Sequence, residues 1–276
     1  MDYLDGLASV LSGDRVRGGG ALIVLVSARM IGFLMSVPCF SSRILPFRFR
    51  AGLAFLFAIL FVAAGVSSDA PASAVEALAA PASAIPLLVG ELSAGIALGW
   101  FGFLVMAAVR GAAVLVSEGV GLSLGGSGQD GGAEEPALRS LQAAFALYVL
   151  LALDLHHAFL RAAAESFTYL PPGSLLEEGA LLEAGKAAIA AGQGLFAVIL
   201  AAAFPVTVAL ILAAVAQGIA GRILPEVELL LFGFPARAVL GMGVTAVALP
   251  FLAELYGGSF EAACREGLGL IRGLFA

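Results

Sequence analysis

Lysine is almost missing from this chain: Lys186 is the only one in 276 residues, and all charged side chains together make up 12%. Soluble domains carry about 25% charge, and with 61% hydrophobic residues this chain cannot hide its apolar surface in one core. A mean hydropathy of +1.04 places it in a bilayer or a large apolar assembly. Fourteen Lys+Arg against twenty Asp+Glu leave a net charge of -6, with no basic stripe for phosphates. Nucleic-acid binding is therefore disfavoured as a function class. Cysteine is equally scarce. Cys39 ends the first apolar run and Cys264 lies near the C-terminus, a spacing that fits neither a metal motif nor a disulfide framework. Both read as plain thiols.

A cleaved leader is not expected either. The first twenty residues mix Asp2, Asp5, Asp14, Arg15 and Arg17, and no small-residue cleavage pattern follows the apolar run. Ser36-Val37-Pro38-Cys39 also makes a poor lipobox, because proline stands where a small flexible residue is needed.

What the chain does have is long greasy segments around one polar interruption. Residues 121–136 hold six glycines, three acids and a proline between apolar runs, so neither flanking helix continues through them. Six stretches approach the roughly twenty helical residues needed to span about 30 Å of hydrocarbon. They are about 21–40, 51–66, 86–120, 137–160, 190–217 and 227–253. The expected fold is an all-α integral membrane protein with six long helices arranged as helical hairpins, the Gly-rich loop lying between the third and fourth.

Individual residues complicate simple insertion. Arg29 in the first stretch costs about 2.5–3.5 kcal/mol at mid-helix, against roughly 3–6 kcal/mol returned by its apolar neighbours. Insertion is then only marginally favourable and calls for partner helices. The second stretch is short for an independent span. The third is long, carries Glu91, Arg110 and Glu118, and holds a close-contact pair, Gly95-x-x-x-Gly99. Pro205 and Pro235 remove helical hydrogen bonds in the fifth and sixth. Residues 67–85 and 170–186 read as linkers. Arg43, Arg48 and Arg50 between the first two stretches and Arg222 between the last two put the 1–2, 3–4 and 5–6 connections in the cytoplasm.

Several short patterns suggest chemistry and fail in context. Gly126 to Gly131 matches G-x-G-x-x-G, but no strand precedes it and no helix opens at its last glycine. Gly125-Gly126-Ser127-Gly128 matches the nucleophile pattern of rhomboid-like intramembrane serine proteases, the rival reading. A serine nucleophile needs a base, and the only histidines, His156 and His157, lie in the helical stretch right after the loop rather than in a late helix. Asp154 and His157 at i, i+3 suit a metal, yet no further Cys or His ligand is in evidence, and a polar patch is favoured. Neither a metal, a cofactor nor a catalytic group is expected. Glu91, Arg110, Glu118, Asp154, Arg161 and Glu165 should instead face partners or a wet lumen.

A series of ordered motifs runs along residues 20–253. It begins with Pro38-x-Phe-x-x-Arg43-x-x-Pro46-x-x-x-Arg50, with Arg29 upstream. It continues through Glu91 to Gly99, Ala107 to Arg110, Gly121-Leu122-Ser123, Pro136-Ala-Leu, Leu153-Asp-Leu-His156 and Glu165 to Gly173. Phe204-Pro205, Gly218 to Arg222, Pro225 and Gly233-Phe-Pro235 through Gly241 complete it. In this order and spacing the motifs resemble the flagellar biosynthetic FliR and SctT-type family of type III secretion export-gate subunits.

The resemblance implies one copy of this chain joining FliP and FliQ subunits and contacting FlhB and FlhA, in the bacterial inner membrane at the flagellar basal body, to pass unfolded export substrates. An injectisome homologue of SctT type would do the same job. It implies an N-terminal segment 1–20, a FliP-like part 21–186, a FliQ-like hairpin 187–253 and a tail 254–276. It also makes the loop 121–136 a pore plug, with Gly121, Leu122, Ser123, Leu124, Gly125, Gly126, Ser127, Gly128, Gln129 and Asp130 as its residues. Subunit contacts are expected at Arg29, Arg43, Glu91, Arg110, Asp154, His156 and Glu165, and a cytoplasmic hairpin at Arg222, Pro225, Glu226 and Pro235. Leu124, Glu118-Gly119-Val120 and Ala214 depart from the family's usual phenylalanine, Gln-Met pair and asparagine.

Overall fold

The computed structural model describes residues 13–40, 46–65, 78, 80–120, 137–173, 180–223 and 229–275. Every regular element among these residues is a helix: α1 Gly13–Ser36, α2 Phe47–Ala63, α3 Pro81–Val120, α4 Ala137–Ala152, α5 Leu155–Tyr169, α6 Ala180–Ile223 and α7 Leu229–Phe275. Four segments, Gly19–Ser36, Ala82–Val120, Gly194–Arg222 and Pro235–Leu270, are long and apolar enough to cross a membrane, and α4 with α5 add a fifth if taken as one broken span. The all-α membrane class is as expected. The helices differ from the apolar runs in length: α6 has 44 residues and α7 has 47, about 66 and 70 Å at 1.5 Å per residue, more than twice the hydrocarbon thickness. Hydrophobicity reports only the apolar middle of each helix, whereas the backbone ladder runs on through Pro205, Pro235 and Pro250. α7 continues past residue 254 as far as Phe275.

The run 137–160, expected as one helix, is two. At the end of α4 the Leu153 amide still donates to the Val149 carbonyl, but the Asp154 amide donates one residue short, to Leu151. Asp154 then takes a left-handed conformation, φ 54°, which a short polar side chain tolerates and which ends a helix. An Asp inside an apolar run is thus a stop signal here.

The chain divides into two compact units: Met1–Phe103 with His156–Ala190 and Ala262–Ala276, and Leu104–Leu155 with Ala191–Glu261. In the first unit, α1 and α2 pack against each other. α1 buries Leu22, Leu25, Val26, Arg29, Met30, Phe33 and Leu34, a stripe of one or two residues per turn, and Val37 just past its end is buried too. Against it lies the first half of α3, burying Leu87, Glu91, Ala94, Leu98 and Phe101 at spacings of three and four. The expected glycine pair sits at this crossing. A Cβ on Gly95 would overlap the Arg29 carbonyl, one on Gly99 would come 2.6 Å from Ser36 Cβ, and Gly32 of α1 meets the Leu92 backbone in return. These glycines let two backbones approach to where no side chain fits.

In the second unit, the later half of α3 buries Val109, Ala112, Ala113, Val116 and Val120, α6 buries Ala202, Ala203, Val206 and Leu210, and α7 buries Leu252, Tyr256 and Phe260. Gly111 and Gly119 of α3 face Ile199 and Leu210 of α6. The outer face of α6 is different: Phe196, Leu200, Phe204, Val208, Ile211, Val215 and Ile219 form an exposed apolar row along its length.

Candidate functional site: a buried ion-pair hub and two polar clasps

Two of the charges singled out in the sequence meet in the first unit. Arg29 is 1% exposed and Glu91 2%, and Arg29 Nε donates to Glu91 Oε2 at 2.6 Å. A buried cation left alone would be very costly, so the pair needs further partners to satisfy its remaining donors and acceptors. Arg29 Nη1 donates to the Leu170 carbonyl at 2.9 Å and to Ser166 Oγ at 3.4 Å, while Ser166 Oγ donates back to Ala163 within α5. The guanidinium lies 4.4 Å from the centre of the Phe167 ring, a cation–π contact strengthened by the dry surroundings. The other carboxylate oxygen, Glu91 Oε1, accepts the Gly173 amide at 2.8 Å. Arg29 Nη2 is buried without a hydrogen-bond partner.

The hub therefore ties α1, α3, the end of α5 and the Pro171-Pro172-Gly173 turn to one ion pair. Gly173 has φ 85°, so only glycine sits there without strain while presenting its amide to Glu91. This hub is where the structure puts Arg29 and Glu91; Ser166, Phe167, Leu170 and Gly173 were not expected as members. Their signal was weak: a serine, a helix-ending glycine and a carbonyl carry no visible charge.

Two polar clasps lie in the second unit, and neither was anticipated. Arg139, in the first turn of α4, donates through Nε to Ser117 Oγ at 2.9 Å in the last turn of α3. Ser117 is fully buried. An arginine near a helix N-terminus opposes the helix dipole, so its place is explained by this cross-helix bond. It holds together the two helix ends from which residues 121–136 depart and return. In the α6–α7 hairpin, Arg237 Nε donates to Gln217 Oε1 at 2.8 Å, and Gln217 Nε2 donates to the Gly233 carbonyl at 3.3 Å. Two polar side chains in greasy helices thus satisfy each other beside Pro235.

The remaining expected residues lie outside the hub and the clasps. Arg110 is exposed on α3, Glu165 is half-buried on α5, and Arg222 is exposed in the last turn of α6. Asp154 occupies the break between α4 and α5 with a left-handed backbone, and a carboxylate oxygen of Asp154 and one ring nitrogen each of His156 and His157 lie within 4.8 Å of one another. The His156 and His157 rings meet at 4.1 Å, tilted by 39°. Pro235 lies inside α7. Arg43, Pro225, Glu226 and the loop residues Gly121 to Asp130 lie outside the described residues. Burial pushes the Cys39 thiol up to about 12, so it stays protonated and unreactive at neutral pH.

Residues 21–263 match the family model of the bacterial export proteins, family 1. The chain belongs to that family. It is similar to the flagellar biosynthetic protein FliR of Escherichia coli (strain K12), 26% identical over 227 residues that cover 82% of this chain and 83% of that protein. The FliR proteins of Caulobacter vibrioides and Bacillus subtilis are 24% and 23% identical, covering 84% and 82% of this chain and 90% and 85% of theirs. With its long apolar helices, this member of the export family is a multi-pass protein of the bacterial inner membrane.

Proposed function

We propose that this chain is the FliR-type subunit of the flagellar type III protein export gate, present in one copy and forming with FliP and FliQ the conduit for unfolded substrates, in contact with FlhB and FlhA. The observation that carries the reading is the family match across 21–263, nearly the whole chain. α6 and α7 support it: each is only 22% buried over an 18-residue apolar stretch, leaving open faces for sister subunits.

In this reading residues 121–136 are the pore plug. Six glycines lower the cost of moving it, Leu122 and Leu124 supply a dry ring, and Gln129, Asp130, Glu134 and Glu135 a wet rim. The Arg139–Ser117 clasp supports it by keeping the loop's two stems together. Deleting residues 125–132 in cells carrying the assembled gate is expected to raise ion leak; unchanged conductance would refute the plug. No covalent chemistry is assigned to the loop, so Ser127→Ala is expected to leave export intact. An injectisome gate of SctT type is the same role in another machine, and gene neighbourhood separates the two.

A further inference from the structure

One polar cluster is used by neither the hub, the clasps nor the export reading. It occupies consecutive positions at the break after α4, Asp154-Leu155-His156-His157. The sequence alone offered Asp154 and His157 as a pair at i, i+3 and no third ligand. With Asp154 left-handed at the helix stop and α5 starting at Leu155, His156 joins them. One carboxylate oxygen and one nitrogen of each ring lie within 4.8 Å of one another. Three nitrogen and oxygen donors make a transition-metal site that keeps a position open. Nδ1 of His156 is buried and has no hydrogen-bond partner among the described residues, although the side chain as a whole is half-buried. A buried imidazole nitrogen normally has a partner, and a metal ion is one that its lone pair can take. Asp154 and His157 are exposed, which gives an ion a way in. Each also has another interaction within the chain. Each has two ligand atoms as well, so one can be held while the other turns to the ion.

We infer that Asp154, His156 and His157 bind one zinc ion, with water in the fourth position. Two imidazoles and a carboxylate suit zinc, whereas magnesium and calcium ask for oxygen throughout and copper(I) for sulfur. Ferrous iron takes the same donors, but more weakly. Zinc–ligand distances of about 2.0–2.2 Å put tetrahedral donors roughly 3.3 Å apart, so atoms within 4.8 Å close by up to about 1.5 Å on binding. Side-chain rotation of the two exposed residues supplies that movement. Bound there, the ion ties the stop of α4 to the first turn of α5. The site holds whether or not the chain serves an export gate.

The test uses the full chain, purified in detergent without a histidine tag and with any subunits that accompany it, stripped with a chelator and titrated with Zn²⁺ or Co²⁺. Zn²⁺ is expected to bind, and Asp154→Asn, His156→Gln and His157→Gln each to weaken it at least about tenfold. Asparagine tolerates the left-handed backbone at 154, so that variant keeps the helix stop. Circular dichroism checks the helices of all three, and should His156→Gln unfold, the two exposed positions decide. The Co²⁺ complex is expected to show ligand-field bands without a thiolate charge-transfer band, and Cys39→Ala with Cys264→Ser to leave Zn²⁺ binding unchanged. No binding by the stripped chain, undiminished affinity in Asp154→Asn and His157→Gln, or binding lost with the cysteines would each overturn the site.

Discussion

The helices α1 and α3 finish their packing inside the chain; α6 and α7 do not. Over an 18-residue apolar stretch of each, the first two are 50% and 56% buried, against 22% for each of the last two. α1 and α7 share a mean hydropathy of 1.8, so hydrophobicity alone does not separate them. What separates them is the presence of sites that only another helix can complete: Gly32, Gly95 and Gly99 offer backbone to backbone, and Arg29 and Glu91 need each other. On α6 and α7, Gly194, Gly218 and Gly243 face open space, beside the apolar row of α6, whereas Gly241 and Gly257 of α7 meet Val120 and Leu153. Whether a glycine in these helices marks a contact within the chain depends on what stands opposite.

This contrast can be broken most sharply at the hub. Glu91→Ala leaves the Arg29 guanidinium buried without its anion and frees the Gly173 amide, and a loss of about 3–5 kcal/mol is expected. Thermal unfolding of the detergent-solubilised chain would register it. The double change Arg29→Leu with Glu91→Leu should recover most of the loss, because no charge is then stranded. Equal damage from the single and double variants would show that the pair stabilises by shape and not by charge.

A smaller effect is expected at the helix crossing. Gly95→Ala pushes a methyl into the Arg29 carbonyl, an overpacking worth about 1–3 kcal/mol. Gly218→Ala and Gly243→Ala, where a Cβ meets nothing, should instead be neutral or slightly stabilising in the isolated chain, by up to about 1 kcal/mol. If all three behaved alike, the distinction between completed and open helices would fall.

On the open side, Phe204→Ala removes a side chain that is 67% exposed. Within the chain this should cost under about 0.5 kcal/mol. If sister subunits cover that face, copurification of FliP and FliQ should nonetheless drop several-fold, and undiminished recovery would leave lipid as the covering. The smallest effect is expected at Cys39. Its thiol ionises near 9 when unfolded and about 12 when folded, so the unfolded chain releases its proton first and stability is lost as pH rises between those values. Cys39→Ala should flatten stability over that window, and alkylation of native Cys39 at pH 8 should be slow compared with the unfolded chain.

How much of this was legible beforehand follows from the range of each interaction. Gly95-x-x-x-Gly99 could be read as a contact because its spacing is local, but its partner, the Arg29–Phe33 backbone, could not. Arg29 and Glu91 stood out as charges in apolar runs, yet 62 positions separate them. Ser166, Leu170 and Gly173 were invisible as members of the hub because they contribute a hydroxyl, a carbonyl and an amide, groups that many residues own. Arg139 and Ser117 looked like ordinary helix-end residues, and Gln217 and Arg237 like stray polarity.

Composition and periodicity by themselves determined that this is a helical membrane protein, because apolar transfer energy and backbone propensity are sums over neighbouring residues. Only the tertiary structure decided which charges pair, where the fourth stretch breaks and which helices keep an open face. Those outcomes depend on atoms brought within about 3 Å of one another from distant parts of the chain, and hydrogen-bond and packing energies fall away too steeply with distance to be read along a sequence.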